Sequence, residues 1–173
     1  MSAGRVAVVL AAVAVVLSGA AFLRGQTAAP PAEKAGAPVE NEHAGYAPGL
    51  GEIMTFQQMR HAKLAIAGAN SNWALADYEL DELNEGFDDI VTYHPTHKDI
   101  KQPLTEMVPG FMKASIDALR EAIKAKDAAK FNTAFDEVTA GCNGCHQAAD
   151  FGFNVVIKPA TAPYPNQQFA PVN

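Results

Sequence analysis

The chain has 173 residues, 49% of them hydrophobic, and a formal net charge of -6. That length allows one domain with appendages. The acidic balance speaks against nucleic acid as a partner and against charge-driven binding to an anionic membrane surface; it is compatible with a basic protein partner.

Residues 1–23 open the chain with Arg5 and then an almost wholly apolar run from Val6 to Leu23, interrupted by Ser18 and Gly19. This predicts an export signal, with Ser18-Gly19-Ala20 as small residues at a cleavage site. The run also reaches the lower limit for crossing a bilayer, about 17 residues, so an uncleaved membrane anchor is the competing expectation. Residues 24–51 follow as a linker rich in Ala, Pro and Gly without apolar periodicity. Such a segment buries too little to offset its ordering entropy and reads as a flexible tether.

Residues 52–150 predict four helices. The first runs from about Glu52 to Ala69, with Ile53, Phe56, Leu64 and Ala67 on its apolar side. The second is capped by Ser71 or Asn72. It carries Trp73, Ala76, Leu80, Leu83, Phe87 and Ile90 at alternating steps of three and four, an apolar stripe on one face. Asp77, Glu79, Asp81, Glu82, Glu85, Asp88 and Asp89 fall between these and read as a solvated face. The third runs from Pro103 to Lys126, with Pro103 suited to a first-turn position and Pro109 expected to kink or restart it. The fourth starts near Asp127 and keeps Phe131, Phe135, Val138, Cys142, Cys145 and Ala149 on one stripe. Short connections predict an all-α, antiparallel up-down-up-down four-helix bundle. Residues 151–173 form a Pro-rich extension, expected to pack back across one end of the bundle with Tyr164 and Phe169 as anchors.

The fourth helix holds the most specific motif. Cys142-Asn143-Gly144-Cys145-His146 reads C-x-x-C-H, and its two cysteines are the only ones in the chain. That pentapeptide is the attachment signature of a c-type haem. Two thiols add across the haem vinyl groups, and the adjacent imidazole is presented to the iron. A dithiol redox centre would want a βαβ context, which is not visible. A structural zinc site would need two further ligands. The expected cofactor is one covalent haem c, held by Cys142 and Cys145 with His146 as the proximal iron ligand. An export segment is consistent with this, since bacterial c-type haem is attached outside the cytoplasm.

A C-terminal helix bearing C-x-x-C-H in a single-haem, four-helix pattern resembles the cytochrome c prime superfamily. The resemblance covers residues 52–150 and includes low-spin relatives in which a Met from the first helix also binds iron. Gln147-Ala148-Ala149 departs from it, since many such proteins have an aromatic and an arginine after the motif; the Pro-rich tail is also extra. Met59-Arg60-His61-Ala62-Lys63-Leu64 and Asn72-Trp73-Ala74-Leu75-Ala76 are similar to a proteobacterial group of c-type cytochromes.

The second axial position is open. An antiparallel bundle brings Met54, Met59, His61, His94, His97, Met107 and Met112 toward the haem end. His61 is the first candidate, by its depth on the first helix; Met59 and Met54 are the thioether alternatives. His94 and His97 are close enough to form a metal pair, but two histidines alone make a weak site, and they read as a helix-terminating, solvent-exposed segment. No catalytic constellation stands out, so the expectation is a non-enzymatic, periplasmic monohaem cytochrome, soluble or membrane-tethered. It would pass one electron between redox partner proteins, and a homodimer is compatible with it. A gas-binding haem protein with an open distal site is the alternative.

Overall fold

The computed structural model describes residues 45–162 and 164–172. The export or anchor segment and most of the linker lie outside the described residues. The rest contains four helices and no strand, only an isolated bridge between His97 and Ile100. The helices are α1 (Leu50–Ala69), α2 (Trp73–Tyr93), α3 (Leu104–Lys124) and α4 (Ala128–Ala148). Among the described residues no helix is long and apolar enough to cross a membrane.

Local chemistry sets the ends. Asn72 caps α2, its side chain accepting from Leu75 N at 3.2 Å. Asp127 caps α4 and accepts from the amides of Ala129 and Lys130. Each cap satisfies donors that have no partner inside the helix. Ser71 and Lys126, both at positive φ, turn the chain between α1 and α2 and between α3 and α4.

The helices form a four-helix bundle in which each packs on its sequence neighbours and α1 meets α4. Neighbours run antiparallel. Gln57, Arg60 and Lys63 of α1 reach Leu83, Glu82 and Glu79 of α2 in that order. Arg120 of α3 pairs with Asp81 of α2 at 2.6 Å. Along α1 and α4, His61 bonds Thr139, and Gly68 lies against Phe131. The larger core is built from Leu64, Leu80, Leu83, Leu119, Phe131 and Phe135. A smaller one gathers Ile53, Ile90, Leu104, Met107 and Cys145 at the other end.

Three helix-level expectations are corrected. Phe56 does not join the α1 core face; it is 46% exposed, and Gln57 and His61 are buried instead. Glu79 does not belong to the solvated acidic face. It is 1% exposed and sits on the α1–α2 seam, 3.4 Å from Lys63. Burial pushes its carboxyl above the usual range, opposed by the Lys63 ammonium. Pro109 does not restart α3, which is continuous through it. Both Pro109 and Thr105, whose carbonyl loses its helical donor, face solvent, where water can take the freed acceptor.

Beyond α4 the chain turns at Asp150, φ 65°, and runs back along α4 without regular structure. Asn154 lies against His146, Val156 against Asn143, and Lys158 against Asp136 and Asn132. The segment ends at the opposite end of the bundle. There Phe169 is 6% exposed in the larger core, and its carbonyl accepts from Asn72 at 3.1 Å. Tyr164 is held by Lys63, whose ammonium lies 5.7 Å from the ring centroid. The tail thus straps the full length of α4 and does not merely cross one end.

Candidate functional site

Cys142 and Cys145 lie one helical turn apart on the inward face of α4, as their spacing implies. Cys145 is buried, Cys142 half-buried, and both are free thiols. Burial, followed by the neighbouring Cys145, pushes the Cys142 thiol up to about 12; burial also raises Cys145. Both therefore keep their protons at neutral pH. Reactive redox cysteines show the opposite shift, so this environment holds intact S–H groups rather than a dithiol poised for exchange. Among the described residues no three His, Cys, Asp or Glu side chains come together to hold a metal ion. A structural zinc centre, which needs four such ligands, has no ligand set here.

The thiols open into a cavity of about 330 Å³ walled by all four helices and the strap. Its walls include Met54, His61, Leu83, Met112, His146 and Val156. A second cavity of about 280 Å³ lies toward the bundle end and is lined by Met54, His97, Leu104, Cys145, His146 and Phe151. Met54, Gln58, Cys145, His146 and Asn154 border both. Gly141, one residue before the motif, allows α3 to approach: a Cβ there would meet the Phe111 carbonyl oxygen at 2.7 Å.

His146 is half-buried, and its Nδ1 lies 2.7 Å from the Asn154 carbonyl. A carbonyl only accepts, so Nδ1 donates here and Nε2 is the nitrogen left free of this bond. This is the arrangement of a metal-ligating histidine, whose second nitrogen is anchored to fix tautomer and ring orientation.

His61 is 3% exposed and rests on the Phe135 ring, centroids 4.6 Å apart. Thr139 Oγ1 donates to the Phe135 carbonyl at 3.0 Å, and so accepts from His61 Nε2–H at 2.8 Å. Burial, then the Lys158 charge, push the imidazole down to about 4. Met54 is half-buried and faces both cavities, whereas Met59 lines neither. Met112 borders the inner cavity, and Met107 is in the smaller core. His94 Nε2 donates to the Pro48 carbonyl at 2.8 Å, and the His94 and His97 rings meet edge-on at 6.4 Å. They do not converge as a metal pair.

The residues that sequence reasoning passed over are Asn154, whose backbone carbonyl holds His146, and Gln58, which borders both cavities. A backbone acceptor leaves no side-chain signal at its position. No family model, curated protein or solved structure matches the chain.

Proposed function

We propose that the protein is an exported monohaem c-type cytochrome, of the cytochrome c prime kind it resembles, which carries one electron between redox partner proteins and is not an enzyme. The observation that carries this reading is that Cys142, Cys145 and His146 all line one cavity, with His146 Nδ1 already tied to a carbonyl. The residues fit haem. The cavity has the size of a ligand site, roughly 300–1,000 Å³, and its walls are mostly apolar. Cys142 and Cys145 would hold the haem, each adding its S–H across one vinyl group with no leaving group. Haem, when bound, would supply a one-electron iron couple.

The helix register supports Met54 over His61 as the residue facing His146. His61 stands opposite Thr139, and His146 lies seven residues past Thr139, about 10 Å further along α4. Since α1 runs the other way, the matching position is seven residues before His61, which is Met54. His61 sits two turns deeper, with its Nε2 proton engaged by Thr139. Met54 would thus hold the group opposite His146, and a His–Met pairing would raise the potential and suit electron transfer. The segment before residue 45 exports the domain to the periplasm and either leaves it soluble or tethers it to the inner membrane.

The test is the full chain co-expressed with a haem-attachment system. Expected are a coloured protein, a mass increase of one haem that survives denaturation, and a reduced low-spin spectrum that CO leaves unchanged. A colourless chain without the added mass would defeat the cofactor reading. Immediate CO binding by a coloured protein would instead establish the gas-binding alternative.

A further inference from the structure

We infer that Asn143 is a positioning residue for His146, and that it acts through the strap. Its amide does not face the cavity. Nδ2 donates to the Val156 carbonyl at 2.9 Å, while Val156 N donates to Asn143 Oδ1 at 2.8 Å. One side chain thus satisfies both backbone groups of one strap residue, as a neighbouring strand would. Two residues earlier on the strap, the Asn154 carbonyl accepts from His146 Nδ1. Asn143 and His146 are three apart on α4 and share a face. Val156 and Asn154 are two apart on the strap, and Asn154 N is itself fixed by a turn onto the Phe151 carbonyl at 2.9 Å. The two hydrogen-bonding sets therefore form one clamp, with Asn143 fixing the strap and the strap fixing the imidazole.

The first variable position of C-x-x-C-H thereby does work unrelated to haem attachment. Backbone carbonyls of an unpinned segment wander, and His146 Nδ1–H would turn to water. A fixed carbonyl acceptor raises the basicity of the imidazole and holds its lone pair on Nε2. A more basic ligand favours the ferric over the ferrous state, so the clamp holds the potential down, against the upward pull of Met54. This inference rests on the reading of His146 as an iron ligand.

The test uses the haem-loaded full chain and two variants. Asn143→Leu keeps the side chain's size and removes both hydrogen bonds. Val156→Pro removes the bond to Asn143 Oδ1 from the strap side, off the helix, so it decides the matter should Asn143→Leu fail to fold. Each is expected to shift the ferric-to-ferrous ratio at fixed potential about tenfold toward ferrous, the lower end of the effect of losing a group hydrogen-bonded to a metal ligand, which is about 59 mV upward for one electron. Each should also speed exchange of the His146 Nδ1 proton, read by NMR of the reduced protein. The double variant should do no more than either alone, because both break one clamp. Variants with wild-type helix content but unmoved potential and exchange would overturn the positioning role, as would additive shifts. A wild-type chain that takes up no haem defeats the functional reading itself, a result distinguishable from either of these.

Discussion

At the scale of single residues, Met54 and His61 of α1 have different surroundings. Met54 borders both cavities together with His146, while His61 is packed on Phe135 and bonded to Thr139. Met54→Ala should therefore convert the haem-loaded protein from low spin to a state that binds CO at once. His61→Leu should leave the low-spin spectrum in place. The reverse pattern in the two spectra would return the distal role to His61. The buried histidine has its own consequence for stability. Its folded pKa, about 4, lies below the ordinary 6.5, so between these values the unfolded chain binds the extra proton. His61 thus favours the fold fully above about pH 6.5, and that contribution is lost as pH falls toward 4. The size is on the order of 3 kcal/mol, at about 1.4 kcal/mol per pKa unit. Denaturant unfolding at several pH values should show a slope across this window that His61→Leu flattens. Parallel pH profiles for the two proteins would refute it.

At the scale of elements, helix positions and caps were legible because their causes are local. Asn72 and Asp127 bond amides within three residues, and the stripe of α4 repeats every three or four. The residue misread as solvated depends on a second helix. Glu79 looks like a surface carboxylate until α1 brings Lys63 to it. The α2 buried face is also wider than its apolar stripe, because α2 packs on both α1 and α3 and so takes in Glu79 and Gly86. Gly68, which looks like a weak helix end, is a packing requirement: a Cβ there would fall inside the Phe131 ring. Gly68→Ala should lower stability by about 1–2 kcal/mol. Overpacking of about 1–3 kcal/mol outweighs the gain in helix propensity, up to about 1 kcal/mol. A thermal midpoint equal to or above wild type would show that Phe131 can step aside.

At the scale of the whole molecule, the strap joins the two ends of the bundle. It walls the cavity near Asn154 and Val156, then seats Phe169 in the larger core beside Asn72. The cap of α2 and the anchor of the tail are thus one residue, since the Asn72 oxygen serves Leu75 and its nitrogen serves Phe169. Phe169→Ala should cost roughly 3 kcal/mol, as for other buried phenylalanines, and should leave the haem spectrum unmoved because the residue lies at the far end. Calorimetry and visible spectra of the same sample check both halves. A wild-type melting curve would mean that the anchor contributes nothing.

By itself, the sequence determined the four helices, most of their boundaries, and the placement of Cys142, Cys145 and their stripe on one inward face. These follow from spacing along a single helix and from caps that bond within it. Only the tertiary structure decided which side chains border the cavities with His146, why Glu79 can be buried, and which group holds His146 Nδ1. Each of those depends on the register between segments far apart or on a backbone carbonyl. Register is set by packing across the bundle, as in the bond between His61 and Thr139, and no local pattern encodes it.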